Sequence, residues 1–265
     1  MRANYHTHTW RCMHASGTER EYIENAIEGG LEILGFSDHT PYPYPEDYVS
    51  GMRMSVNQLE EYVDTVLNLK KEYREDIEIH LGLEVEYYKD YFAQLQRLVA
   101  QYPIEYFLLA QHSIGCEIGG DWSGKPTDDP KTLQAYCEQT GEAMETGFFT
   151  YFAHPDLIRF TGDDQVYGEE MRRLCQRAKG CQMPLEINFL GLYEGRHYPD
   201  ERFWKIAGEE GCQVIFGVDA HSPEALNRPQ VCRKAEEMVR KYGLQLRETM
   251  EFRRPIPAPE EKGEY

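Results

Sequence analysis

The 265-residue chain has no apolar run near the roughly 18 residues that a membrane-spanning helix requires, so no helical membrane anchor is predicted in it. Its opening residues, MRANYHTHTW, turn polar at once and offer no signal-peptide core. The seven cysteines (Cys12, Cys116, Cys137, Cys175, Cys181, Cys212 and Cys232) are odd in number, scattered and free of any C-x-x-C pair. That argues against a disulfide framework and against a thiolate zinc knuckle, and it fits inert thiols in a cytoplasmic protein. Basic residues are scarce, 28 against 46 acids, for a formal charge of −18. Such a balance disfavours long nucleic acids and anionic membranes, which bind through basic patches. An anionic ligand would then need a local source of positive charge, and bound divalent cations can supply it. No internal repeat and no long linker divides the chain, so a single domain over 1–265 is predicted, with about 244–265 as an extension. Within that extension, RRPIPAPEEKGEY reads as an extended or frayed tail.

What the chain does have is a strand-then-helix rhythm. Short apolar or β-branched runs near 3–8, 31–38, 77–85, 106–113, 148–153, 184–189 and 213–219 predict strands. Charged amphipathic stretches at 18–29, 56–74, 130–146, 166–180 and 223–242 predict helices, the first opened by Thr18 and stopped by Gly29-Gly30. Alternation of this kind predicts parallel βαβ units, and seven strands suggest a closed or nearly closed α/β barrel.

The chemistry lies where those strands end. His6-Thr7-His8, Ser37-Asp38-His39, Gly82-Leu83-Glu84, Gln111-His112-Ser113, Ala153-His154-Pro155-Asp156 and Asp219-Ala220-His221 finish six of them. In a parallel barrel these ends converge on one face, where such folds place their catalytic groups. Residues two apart on a strand point the same way, which pairs His6 with His8 and Asp219 with His221. One histidine at a strand end is ordinarily just a hydrogen-bonded side chain; six strand ends with the same chemistry are not explained that way. Imidazole and carboxylate ligands suit Zn, Mn or Fe. His80 and His197 stand apart and read as non-ligands, with His80 packed toward the bottom of the barrel.

His-Thr-His-Thr, followed by Cys12 and His14, then Phe-Ser-Asp-His, Gly-Leu-Glu, a mid-chain His, Ala-His-Pro-Asp and a late Asp-Ala-His, resemble in order and spacing the PHP (polymerase and histidinol phosphatase) superfamily. The resemblance spans about residues 4–222. It implies a single distorted (β/α)7 barrel with the metal site at the C-terminal ends of the strands, holding two to three divalent ions. By position, His6, His8, Glu84 and Asp219 would hold one ion, and Glu84 would bridge to a second held by His112 and His154. His14, His39 and His221 would hold the third. The implied activity is metal-dependent phosphoester hydrolysis by a metal-bridging hydroxide, with Glu84, Asp219 and His221 as the catalytic residues. Asp38 and Asp156 adjoin ligand histidines and are candidates either for orienting them or for solvated turn acids.

The stretches FSDHTPYPYP, MRMSVNQLEEY and IEIHLGLEVEYY are more similar to the histidinol-phosphate phosphatase branch than to polymerase-associated domains. Arg159 and Arg196 match positions where that branch carries phosphate-contacting arginines, and a guanidinium fork suits phosphate. Two features depart from the branch: Gln111-His112-Ser113 replaces a frequent Val-His-Phe, and the loop 116–129, CEIGGDWSGKPTDD, is individual to this chain. The resemblance thus implies hydrolysis of L-histidinol phosphate or a similar small phosphorylated substrate. Two alternatives stand beside it. One is a phosphoesterase acting on nucleotides or oligonucleotides. The other is a non-catalytic metal-binding protein, disfavoured because all nine ligand types are present.

Overall fold

The computed structural model describes residues 1–45 and 47–256. Strands β1 (Ala3–Asn4), β2 (Ile33–Phe36), β3 (Glu78–Val85) and β4 (Tyr106–Leu109) precede a small antiparallel hairpin, β5 (Ser113–Ile114) and β6 (Asp121–Trp122). Strands β7 (Phe149–Phe152), β8 (Leu185–Asn188), β9 (Gln213–Gly217) and β10 (Gln245–Leu246) follow. Outside the hairpin, all pair parallel in the order β1-β2-β3-β4-β7-β8-β9-β10. The sheet curls until its first and seventh strands meet just beyond their ends, where Thr7 bridges Ala220 and His8 N–H donates to the Ala220 carbonyl at 3.0 Å. The seven predicted strands are therefore all present, and the barrel joins on the rim that carries the His and Asp motifs. Strand β10 was not predicted; it pairs with the start of β9 at the opposite end.

Helices α1 (Glu19–Glu28), α2 (Leu59–Glu72), α3 (Lys89–Val99), α4 (Pro130–Glu145), α5 (Asp164–Gly180), α6 (Phe189–Glu194), α7 (Glu201–Glu210) and α8 (Pro229–Tyr242) complete the chain. Thr18 opens α1 through a capping box with Glu21, as its sequence predicts. The predicted helix 223–242 is instead two pieces, a 3-10 turn and α8. Pro229 has no N–H to continue an earlier helix and drives Arg228 out of the helical region. Helices α3, α6 and α7 went unpredicted. For α7 the signal was there: Asp200 accepts from Arg202 N–H at the start, and Gly211 closes the end in the left-handed region.

Side chains alternate across each strand, and this sorts the core into two layers. On β4, Phe107 and Leu109 face the helices, whereas Tyr106 and Leu108 join Tyr5, Ile33, Tyr151 and Ile215 inside the barrel. The Tyr106 ring fills the barrel floor, its hydroxyl donating to the carbonyls of Tyr5 (2.7 Å) and Phe36 (3.2 Å). It lies flat against Gly82 of β3, where any Cβ would overlap the ring. From below, Phe252 stacks on Tyr106 at 4.7 Å. Arg253 N–H donates to Thr150 Oγ1, and Gln96 donates to the Pro255 carbonyl. The start of the expected frayed tail is thus held against the barrel, because the open floor offers it aromatic surface; residues 257–265 lie outside the described residues.

Replacing Gly82 with Ala should destabilise the fold by about 1–3 kcal/mol, since the buried tyrosine has nowhere to move. Chemical denaturation checks this, and a stability within error of wild type would contradict the packing described.

Candidate metal centre

The nine residues implied as ligands come together at the rim of the barrel. His6 and His8 follow β1, Asp219 and His221 follow β9, and the Thr7–Ala220 bridge brings these two pairs side by side. His6 Nε2 and His8 Nε2 are 3.2 Å apart, and Asp219 Oδ1 lies 3.5 Å and 3.1 Å from them. Glu84, on β3, sits at the centre of the group and is fully buried. Its Oε1 lies 3.2 Å from His6, 2.9 Å from His154 and 3.7 Å from His112, while Oε2 lies 2.8 Å from His39 and 3.6 Å from His8. His14, His39 and His221 offer three ring nitrogens within 4.8 Å of one another on the outer side. The backbone takes up left-handed geometry at His154 (φ 32°) and Asp219 (φ 53°), a cost that packing must hold in place. Met13 (φ 67°) does the same at the turn that presents His14.

The seventh strand end is one for which no ligand is predicted, and it supplies the supports. Glu186 and Asn188 on β8 point inward two residues apart. Glu186 Oε2 meets His6 Nδ1 at 2.8 Å, and the Asn188 amide donates to both Glu186 Oε1 (2.7 Å) and Asp219 Oδ2 (3.0 Å). Gly217 leaves the room that Glu186 occupies, since a Cβ there would overlap its carboxylate. Glu86, two residues past Glu84, meets His112 Nδ1 at 2.8 Å and is gripped by buried Arg53 at 2.8 and 3.1 Å. The 3.5 Å gap between His8 Nδ1 and Asp38 Oδ1 is too long and poorly directed for a hydrogen bond, so their interaction is electrostatic. Asp156 turns away from His154 and accepts instead from Asp200 N–H (2.6 Å) and Trp204 Nε1–H (3.0 Å), tying α7 to the end of β7. Of the two candidate roles, Asp156 fills neither: it is buried, so it is not a solvated turn acid, and its Oδ2 serves those two donors and not His154. The other sequence motifs explain these supports poorly: the period-two repeat Glu84/Glu86 and Glu186/Asn188 was the only available signal.

Electrostatics at the centre are strongly coupled. Burial alone would raise the Glu84 carboxyl, but His112, His39 and His6 outweigh it and hold the group well below the usual range. Asp219 is held low in the same way by His6, His8 and His221 against its burial. Burial likewise opposes protonation of His8, yet the nearby Asp219, Asp38 and Glu84 carboxylates lift it to about 9. His39 goes the other way, to about 4, with burial the largest cause. Cys12 lies beside His8 and His221, but burial pushes its thiol up to about 12, which makes it a poor ligand beside the imidazoles.

His14, His39, Glu84, His112, His154, Asp219 and His221 line a cavity of about 380 Å³, the size of a small-molecule site, with His6 and His8 buried behind them. Arg196 is on its wall, paired with Glu194 (2.7 Å) and the Tyr198 hydroxyl (2.7 Å). Arg159 is exposed and is not among the lining residues; its backbone joins the 113–128 segment instead. His80 lies far along β3 with Glu105 and Phe252, and His197 meets the Leu157 carbonyl at 2.7 Å, so neither joins the centre.

The PHP domain matches residues 4–189. The chain belongs to the PHP domain family. Among its relatives, the histidinol-phosphatase of Bacillus subtilis (strain 168) is 34% identical over 248 residues, covering 82% of this chain and 92% of the relative. A probable histidinol-phosphatase of Deinococcus radiodurans is 27% identical over 235 residues, covering 82% and 85%. The PHP fold is matched by the crystal structure of histidinol phosphate phosphatase from Lactococcus lactis, solved with Zn, L-histidinol and phosphate. That match has a TM-score of 0.72 at 21% identity and covers 94% of this chain and 96% of the other.

The centre fits divalent cations on its own geometry. His39 Nδ1 and Glu84 Oε2 face each other at 2.8 Å without hydrogen-bond geometry, and both are buried without a hydrogen-bond partner, as are His154 Nδ1 and His221 Nε2. Glu84, Asp219, Glu186, Glu86 and Asp38 bury five carboxylates at this rim, of which Glu86 is paired with the buried guanidinium of Arg53. A zinc ion with bonds of about 2.0–2.2 Å has tetrahedral ligand edges of roughly 3.3–3.6 Å, close to the His6, His8 and Asp219 separations.

Elemental analysis of the purified protein should find two to three equivalents of transition metal, and Glu84→Ala should lose at least one. Glu186→Gln should keep the ligands but weaken metal affinity about 10–100-fold, as loss of an orienting carboxylate does. Metal content below about one equivalent after reconstitution would defeat the assignment.

Proposed function

We propose that the chain is a metal-dependent phosphomonoester hydrolase that converts L-histidinol phosphate and water to L-histidinol and phosphate. The observation that carries this reading is the clustering of nine His, Glu and Asp side chains at one rim, seven of them lining one small cavity, in a chain 34% identical to a histidinol-phosphatase over most of its length. In this reading residues 1–265 form one hydrolase domain that works in the cytoplasm. His6, His8, Glu84 and Asp219 hold one cation, Glu84 with His112 and His154 a second, and His14, His39 and His221 a third. Zn, Mn or Fe bound there would activate water, polarise the phosphoryl group and neutralise its charge.

The chain's own groups do the rest. Arg196 exchanges the exposed Glu194 carboxylate for the phosphate dianion, while the Tyr198 hydroxyl keeps its guanidinium aimed at the cavity. Asp219 lines the cavity, and its carboxylate is the group assigned to pass a proton to the departing alcohol oxygen. The Asn188 amide on Oδ2 fixes which oxygen does so. His221, at the cavity edge, and Glu84, at its base, complete the catalytic set. Arg159 contributes to phosphate binding only from the rim.

Metal-loaded protein should be screened against histidinol phosphate, nucleotides and sugar phosphates, with histidinol phosphate expected to show the highest kcat/KM. Preference for nucleotides would replace the substrate assigned, and no turnover of any phosphomonoester would favour a binding role. Arg196→Ala should lose about 2–4 kcal/mol of transition-state stabilisation with metal content unchanged, the range for a charged oxyanion contact. Arg159→Ala should lose less, and Arg196→Lys should recover only part, since an ammonium lacks the planar fork. Wild-type kinetics in Arg196→Ala would remove that residue from the mechanism.

A further inference from the structure

The segment 113–128 that follows His112 is a firmly built piece of the cavity wall. Its hairpin pairs Ser113 with Trp122, and Ser123 N–H donates to the His112 carbonyl at 2.8 Å. The next turns are fixed to the chain beyond His154: Arg159 N–H donates to the Ser123 carbonyl and Thr127 N–H to the Arg159 carbonyl, each at 3.0 Å. Gly124 lies against the indole of Trp122, where a Cβ would press on Nε1. These contacts hold Trp122 parallel to the His112 ring, with an interplanar angle of 11° and centroids 5.6 Å apart. The indole nevertheless stays 47% exposed, and it lines the same cavity as the histidines. Met52, Leu157 and Leu190 join it there, so the cavity has a charged floor and a largely apolar wall. An amphipathic ring held rigidly at the mouth of a small-molecule site, with much of its surface open, is an aromatic surface ready to receive another flat ring.

We propose that Trp122 is a specificity-determining residue: it receives the planar ring of the leaving alcohol, the imidazole of histidinol, while the phosphate occupies the charged floor. This rests on the reading of the chain as a histidinol-phosphate phosphatase. It assigns a role to the loop in which the sequence departs from its branch.

The test compares histidinol phosphate with glycerol 3-phosphate, which has no ring, on metal-quantified wild type, Trp122→Ala and Trp122→Phe. Trp122→Ala should lower the ratio of kcat/KM for histidinol phosphate over glycerol 3-phosphate roughly five- to tenfold, mainly through KM, and Trp122→Phe should restore most of it. L-histidinol with phosphate should also saturably change the tryptophan fluorescence of wild type and of Trp10→Phe, but not of Trp122→Phe. This titration decides the matter if glycerol 3-phosphate turns over too slowly to compare. An equal loss on both substrates would mean that Trp122 acts only by supporting His112, and would overturn the proposal, as would an unchanged ratio. Failure of wild type to hydrolyse histidinol phosphate while it hydrolyses other phosphomonoesters would instead overturn the substrate reading, and this inference with it.

Discussion

Glu84 is the group on which the centre depends. Its carboxylate is wholly buried, and five imidazoles from four other strand ends approach it within 3.7 Å. A buried carboxylate without compensation costs several kcal/mol, so the histidines around it are required as much by its burial as by any chemistry. Each of those histidines comes from a different region of the chain, apart from the neighbours His6 and His8. The barrel is what makes the arrangement possible, because parallel strands end on one face and place their last residues around a common axis.

Holding the centre imposes demands well away from it. Side chains must be absent at Gly82, so that Tyr106 can seal the floor, and at Gly217, so that Glu186 can reach His6. Left-handed backbone at His154 and Asp219 must be paid for by the surrounding packing. Buried Arg53 neutralises Glu86 and reaches Glu117, linking the support of His112 to the start of the 116–129 loop. Through these links the histidine-rich rim, the loop beside it and the aromatic floor form one connected structure.

The tally of charge also explains how an acidic protein can bind a phosphate. With a formal charge of −18, the surface as a whole repels a dianion. The rim adds five buried carboxylates, and Arg196 on the cavity wall is partly neutralised by Glu194. Positive charge sufficient for a phosphate must come from what the imidazoles and carboxylates bind, which ties substrate affinity to metal occupancy in the proposed function.

Much of this was legible in the residues alone, for a reason rooted in local geometry. Strand periodicity and the short motifs ending each strand are properties of a few consecutive residues, and a parallel barrel converts them directly into a cluster; hence all seven main strands and the gathering of the nine candidate ligands follow from the pattern. Helices α3, α6 and α7, the break before Pro229 and the docking of residues 253–256 were missed because short elements take their form from capping and from surfaces supplied elsewhere. The tertiary structure alone decided which groups support the ligands. Glu186 lies 180 positions from His6 and Arg53 lies 33 from Glu86, and nothing local in the chain marks either pairing. Asp156 shows the same limit from the other side: adjacent to a ligand in sequence, it is claimed by Asp200 and Trp204 in space, because a hydrogen bond goes to whichever donor the fold brings within reach.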